Sequence, residues 1–164
     1  MTVIDELVAA NEHFADALGE VAKPALPPKR KVAIVTCMDA RIVPARLFGL
    51  EEGDAHVIRN AGGRTPEALR SLVISERLLG TEAVMVVQHT DCGMLTFTND
   101  DLHAKVEKDL GVDTSDIDFL PFPDLEQNVR ADVEFLRKSP LVPDDIEIRG
   151  FVYDVGTRRV RELT

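Results

Sequence analysis

The sequence predicts an α/β fold in which a mostly parallel central β-sheet is flanked by helices and preceded by an N-terminal helical arm. Three short apolar runs rich in β-branched residues have the pattern of strands that are buried on both faces. An amphipathic helical segment separates the second run from the third, as a parallel crossover requires. The chain has 164 residues, of which 45% are hydrophobic, so it suits a single domain spanning 1–164.

The N-terminal segment is predicted to be an amphipathic helical arm over residues 1–22. Prolines then interrupt regular structure over 23–30, which is predicted to be a stiff linker, and 31–164 form the α/β core. The arm is expected to pack either on its own domain or on a second copy of the chain, and the sequence leaves both arrangements open. The apolar positions at helical spacing are Ile4, Leu7, Val8, Phe14, Leu18 and Val21.

The core begins with three predicted strands, at residues 32–36, 55–58 and 83–87. The crossover helix follows the second strand, with Thr65 as its cap, Pro66 in its first turn and Gly80 as its stop. Further helices are predicted near 100–110 and over 124–138. A last strand at 146–153 is expected to turn at Gly156 into a short hairpin.

Charge and hydropathy exclude several classes of protein. Nineteen basic residues against 29 acidic ones give a formal net charge of −10, so a nucleic-acid partner is not expected. No apolar run approaches the roughly 20 residues that cross a bilayer, so no membrane association is expected. Acidic residues precede the first basic residue, Lys23, which is the reverse of an export signal and favours a cytoplasmic location.

Residues with metal-binding and acid–base chemistry follow the predicted strands. Because functional groups gather beyond the carboxyl ends of parallel strands, these residues are expected to share one cleft. Two thiolates and an imidazole suit Zn²⁺, and the pair His89-x-x-Cys92 has chelate spacing. Asp39 and Arg41 alternate with Cys37, so a carboxylate held by a guanidinium is expected beside the metal. The residues are Cys37, Asp39, Arg41, His89 and Cys92.

Other interpretations of the same residues remain. Cys37 and Cys92 are the only cysteines, and each is also compatible with a small buried apolar residue or with a disulfide. A non-enzymatic protein in which Asp39 closes the fourth zinc position has the same motifs. A thiol redox protein is a further alternative, although the cysteines do not form a C-x-x-C pair.

Three motifs, in this order and spacing, resemble those of the β-class carbonic anhydrases. They are Cys37-Met38-Asp39-Ala40-Arg41, Arg59-Asn60-Ala61-Gly62-Gly63 and His89-Thr90-Asp91-Cys92-Gly93, and the resemblance is strongest over residues 31–95. The short chain and the segment from Gly53 to Asn60 are most similar to the small prokaryotic branch of that family.

The resemblance implies a zinc lyase that catalyses the reversible hydration of carbon dioxide to bicarbonate and a proton through zinc-bound hydroxide. It implies one Zn²⁺ per chain on Cys37, His89 and Cys92, a catalytic pair formed by Asp39 and Arg41, and substrate contacts at Ala61 and Gly93. It also implies a homodimer or a dimer of dimers, with the N-terminal helix reaching across to the other subunit. His56 stands where larger members carry a pocket phenylalanine, so its role is left open.

Overall fold

A five-stranded sheet forms the centre of the molecule. The computed structural model describes residues 2–19 and 25–164. The strand order is β2-β1-β3-β4-β5. The elements are α1 (Val3–Leu18), β1 (Val32–Cys37), α2 (Pro44–Phe48), β2 (His56–Asn60), α3 (Thr65–Leu79), β3 (Ala83–His89), α4 (Asn99–Leu110), α5 (Leu125–Lys138), β4 (Glu147–Asp154) and β5 (Arg159–Glu162).

The pairing of the strands confirms the predicted mostly parallel sheet. β1 pairs in parallel with both β2 and β3, and β3 pairs in parallel with β4. The predicted C-terminal hairpin is also present, because β5 runs antiparallel to β4. Thr36 lies opposite Val87, and Cys37 lies opposite Asn60. The carboxyl ends of β1, β2 and β3 therefore meet at one edge of the sheet.

Apolar side chains cover the two faces of the sheet in separate clusters. On one face, α3 and α5 contribute Leu72, Val133 and Leu136 to a cluster that includes alternate residues of β1 and β3. On the other face, Ile34 and Val87 pack with residues from loops, among them Phe122 between α4 and α5. Each cluster removes apolar surface from water, which is the main stabilising contribution to the fold. The second cluster also contains Cys37 and Cys92.

The second strand differs from its prediction. Its apolar run predicts burial on both faces, but β2 is an edge strand whose burial alternates, and Val57 is 41% exposed. The prediction is wrong because an apolar run does not record whether a layer covers both sides of its strand. Thr65 is not the helix cap either: Arg64 holds that position, and Thr65 is the first residue of α3. The short helix α2 was not predicted from the sequence.

The N-terminal helix presents its apolar side to solvent. A capping box starts α1, in which Thr2 and Asp5 exchange side-chain to backbone hydrogen bonds, and Gly19 follows its last residue. No residue of Val3–Leu18 is buried. The prediction extends the arm to residue 22, but residues 20–24 lie outside the described part of the chain. Residues 25–30 contain no helix or strand.

No helix among the described residues combines the length and the apolar character needed to cross a membrane.

Candidate metal centre

Three soft donor side chains converge at the carboxyl edge of the sheet. Cys37 is the last residue of β1, His89 is the last residue of β3, and Cys92 follows in the next turn. Their donor atoms all lie within 4.8 Å of one another, and all three residues are buried. Sulfur and imidazole nitrogen at these separations form a donor set that suits a tetrahedral divalent ion such as Zn²⁺.

The orientation of His89 leaves one nitrogen free for a metal ion. Nδ1 lies 2.8 Å from the carbonyl oxygen of Thr90, an arrangement in which Nδ1–H donates to that oxygen. Nε2 then carries the lone pair, and it is buried with no hydrogen-bond partner in the described part of the chain. A buried polar atom without a partner is costly, and coordination of a metal ion removes this cost. The imidazole therefore fits the group that the donor set suggests.

The environment of Cys37 favours its thiolate form. The thiol of Cys92 and the backbone of Asp39 and Gly62 stabilise the negative charge and lower the pKa of Cys37, against the opposing effect of burial. The amide of Gly62 donates to Cys37 Sγ over 3.3 Å. Both cysteines are free, so the disulfide interpretation is wrong. A thiolate is the form of cysteine that binds metals, and its surroundings favour it at Cys37. The hydrogen bond with Cys37 and burial raise the pKa of Cys92 instead.

Asp39 and Arg41 form a tight ion pair next to the three donors. Asp39 Oδ1 accepts hydrogen bonds from the backbone amide of Arg41 and from its Nε, and Asp39 Oδ2 accepts one from Nη2 at 2.7 Å. This pairing holds the pKa of the Asp39 carboxyl well below its usual range. Asp39 Oδ2 also lies 3.9 Å from His89 Nε2. A charged carboxylate, held by a guanidinium, thus borders the position where a metal ion fits.

Two further residues bind this pair, and the sequence analysis missed both. Asp91 accepts a hydrogen bond from Arg41 Nη1 at 2.6 Å through its side chain, and its carbonyl accepts from Nη2. Arg59 donates to the carbonyl oxygens of Cys37 and Asp39. Asp91 stands between two predicted ligands, and Arg59 begins the Arg-Asn-Ala-Gly-Gly motif. Their positions within the motifs could therefore have indicated that both residues belong to the site.

The other residues singled out from the sequence lie at different distances from the donors. Ala61 is half-buried and packs against the apolar cluster that contains both cysteines. Gly93 is exposed and directly follows Cys92. His56 begins β2 opposite Ala33, four residues before the edge where the donors meet, and its Nδ1 lies 2.6 Å from Ser75 Oγ. Within one chain, His56 is not part of the cluster of donors.

The fold and the site define an α/β protein with a Cys₂His metal centre bordered by an aspartate–arginine pair. Comparison with known proteins then identifies the family. Residues 32–115 match the family described as carbonic anhydrase. The chain belongs to the β-carbonic anhydrases, as its three motifs predict.

Relatives of known name support the assignment along the whole chain. A protein of Mycobacterium tuberculosis named beta-carbonic anhydrase 1 is 42% identical over 100% of this chain and 99% of its own. The crystal structure of a carbonic anhydrase from Streptococcus mutans is 52% identical, with a TM-score of 0.94 over 100% of this chain and 99% of the other. A carbon disulfide hydrolase from an Acidianus strain is 34% identical over 84% of this chain and 79% of its own.

Removal of one donor should abolish metal binding without unfolding the chain. We expect His89→Gln to lower the zinc content of the purified protein at least tenfold, because even loss of a supporting contact around a metal costs roughly 10-fold to 100-fold in affinity. Elemental analysis measures bound zinc, and circular dichroism checks that the variant folds. The control is His103→Gln, since His103 lies on α4 and contacts Ile117 instead of the donors. Equal zinc content in the two folded variants would contradict the assignment.

Proposed function

We propose that this protein catalyses the zinc-dependent, reversible hydration of carbon dioxide to bicarbonate and a proton. The observation that carries the proposal is the convergence of two thiols and an unpaired imidazole nitrogen beside a carboxylate that a guanidinium holds. The similarity to proteins named carbonic anhydrase over the full length of the chain supports the same reaction.

Cys37, His89 and Cys92 are the proposed zinc ligands, with one ion per chain. Bound zinc would supply Lewis acidity, which lowers the pKa of water and so favours formation of the nucleophile. The chain's own contribution is the arrangement of the ligands. Donation from His89 Nδ1–H to Thr90 directs Nε2 toward the other donors, and the Gly62 amide stabilises the Cys37 thiolate.

Asp39 and Arg41 are the proposed catalytic pair. Asp39 is the only carboxylate among the described residues within 4.0 Å of His89 Nε2, and its side chain is 17% exposed, so water reaches it. A carboxylate in this place has two available roles: it accepts a proton from the attacking water, or it occupies the fourth position on the metal. Arg41 binds both carboxylate oxygens and thereby restrains the second role.

Ala61 and Gly93 are the proposed substrate contacts. Carbon dioxide is small and apolar, so a site that holds it needs short side chains at the rim and apolar surface behind them. Ala61 adds a methyl group to the apolar cluster around the cysteines, and Gly93 has no side chain next to Cys92. Nothing lies within 4 Å of a Cβ atom placed on Gly93, so space is open there.

We propose carbon dioxide, and not carbon disulfide, as the substrate because of the similarities to named relatives. The relatives named beta-carbonic anhydrase align with the entire chain at 42% identity, whereas the first of the relatives named carbon disulfide hydrolase aligns with 84% of it at 34%. A permanently closed structural zinc site is the remaining alternative, and it differs from an enzyme in whether small anions reach the metal.

The active form is proposed to be a homodimer, or a dimer of dimers, located in the cytoplasm. Ile4, Leu7 and Phe14 of α1 are each 60% or more exposed, and a second copy that covers them removes this surface from water. Free Cys37 and Cys92 suit a reducing compartment, which favours the cytoplasm.

Activity should rise with pH. Two thiolates cancel the formal charge of a divalent ion, so the centre polarises water less than one with neutral ligands does. We therefore expect the initial rate of hydration by the zinc-loaded protein to increase from mildly acidic to alkaline pH, measured by stopped flow with a pH indicator. A rate that stays flat over this range would contradict the proposed charge of the centre, and no hydration at any pH would contradict the proposed function.

Asp39→Asn should separate proton transfer from metal binding. We expect hydration to slow by about 10²- to 10⁴-fold while zinc stays bound, because a neutral amide does not accept the proton. The control is Asp100→Asn, which removes an equal charge from an exposed position on α4. Unchanged turnover in Asp39→Asn would refute an essential carboxylate.

Binding of thiocyanate to the cobalt-substituted protein, followed by its visible spectrum, tests the closed alternative, since a closed site binds no anion.

Disruption of the apolar face of α1 should dissociate the dimer. We expect Leu7→Glu to raise the dimer dissociation constant at least tenfold, because a charge replaces an apolar contact. Ala9→Glu is the matched control, since two residues along a helix place its side chain on roughly the opposite face. Sedimentation velocity over a range of concentrations measures both variants. A monomeric wild type, or equal dissociation of the two variants, would overturn the proposed role of α1.

A further inference from the structure

A buried carboxylate on α5 lies at the centre of a polar network behind the metal centre. Asp132 is 2% exposed, yet it belongs to none of the three motifs. Its side chain accepts hydrogen bonds from Arg64 Nε and Nη2, both at 3.0 Å, from the backbone amide of Thr65 and from Gln88 Nε2. Its carbonyl oxygen accepts one from the Thr65 hydroxyl. The buried charge is therefore fully paired, as a stable interior requires.

One branch of this network leads to Cys37. Arg64 follows the turn Ala61–Gly63, and Asn60 closes that turn with two hydrogen bonds to the backbone of Arg64. Gly62, inside the turn, donates its amide to Cys37 Sγ. The backbone of the turn lies very close to β1, because a Cβ atom on Gly63 would be 2.9 Å from the amide nitrogen of Cys37. Arg64 is therefore connected, through one short turn, to the amide that contacts Cys37.

The other branch leads to His89. Gln88 directly precedes His89 in β3 and is fully buried. Its Nε2 donates to Asp132, and its Oε1 accepts a hydrogen bond of 2.8 Å from Asn128 Nδ2. Asn128 and Asp132 are both on α5. The end of β3 that carries the imidazole is thus attached to the same helix as the turn that contacts Cys37.

We propose that Asp132 is a positioning residue for the metal centre. One carboxylate binds both the segment that follows the turn in contact with Cys37 and the strand that carries His89, so it fixes the separation of these two donors and with it the affinity for zinc. This inference rests on the zinc site proposed above, and it concerns a residue that touches neither metal nor substrate. Residues that support metal ligands from outside commonly change metal affinity by about 10-fold to 100-fold.

The packing of α5 indicates that the network contributes more to the placement of side chains than to the stability of the fold. Val129, Val133 and Leu136 of α5 are fully buried, and Val133 and Leu136 belong to the cluster that holds α5 and α3 on the sheet. These apolar contacts stabilise the helix on the sheet without the ion pair. A buried ion pair often contributes little net stability, because removing its charges from water opposes their attraction. The contribution of Asp132 is instead to hold Arg64, Thr65 and Gln88 in fixed orientations through its hydrogen bonds.

Asp132→Asn tests the proposal, because the amide keeps the size of the side chain and removes its charge. We expect the zinc dissociation constant to rise about 10-fold to 100-fold, measured by competition with a chromogenic chelator at a temperature where the variant is folded. The charge-transfer bands of the cobalt-substituted protein should also shift, since they report the arrangement of the thiolates.

The control separates positioning from general loss of stability. Leu136→Ala weakens the packing of the same helix but leaves every hydrogen bond of the network in place. If Leu136→Ala binds zinc as the wild type does and Asp132→Asn binds it at least tenfold more weakly, the proposal holds. If both variants lose affinity equally, or if Asp132→Asn keeps the affinity and spectrum of the wild type, the proposal is overturned.

A second variant applies the same test where Asp132→Asn does not fold. Gln88→Met keeps the volume of the side chain and removes its hydrogen bonds with Asp132, Asn128 and the Gly63 carbonyl, and it should also weaken zinc binding at least tenfold. Unchanged affinity in folded Gln88→Met overturns the proposal. These outcomes are independent of the proposed function: a wild type that binds zinc but does not hydrate carbon dioxide contradicts the function alone.

Discussion

Parallel pairing of β1 with β3 is the constraint on which the site depends. Parallel strands end at the same edge of a sheet, and here the two adjacent central strands end at Cys37 and His89. The residues lie 52 positions apart in the sequence, and only hydrogen-bonded register brings their side chains together. Cys92 then needs only the short turn after β3 to join them. The β-branched runs that form these strands thus determine where the metal donors meet.

Charge in this buried region is matched locally. Two thiolates and a carboxylate would repel one another in a medium of low polarity if nothing opposed them. Arg41 offsets the charge of Asp39, and the Gly62 amide and the Cys92 thiol favour the thiolate of Cys37. A divalent ion would complete this balance, because the two sulfurs and the unpaired nitrogen of His89 form a donor set that suits it. The charge of such an ion would offset that of the thiolates.

The surroundings of the site combine tight backbone contacts with a buried polar network. At Gly63, φ is +66° and β1 lies so close that a side chain would collide with it, so glycine is required there. Behind this turn, Asp132 connects Arg64 and Gln88, which belong to different elements. Such networks specify a single arrangement when every member is paired. Through these hydrogen bonds, α5 is connected to the edge of the sheet where the donors lie.

Sequence alone determined the sheet, its crossover helix, the hairpin and the donors, because these follow from local periodicity and from residue chemistry at strand ends. The three motifs also identified the family. Tertiary structure alone decided that β2 is an edge strand, that the Thr65 hydroxyl binds Asp132 instead of capping α3, and that Asp91 shares Arg41 with Asp39. The last two contacts join residues 67 and 50 positions apart. Contacts between residues so far apart in the sequence produce no periodic pattern along the chain, since they depend on how the packed layers place side chains in space.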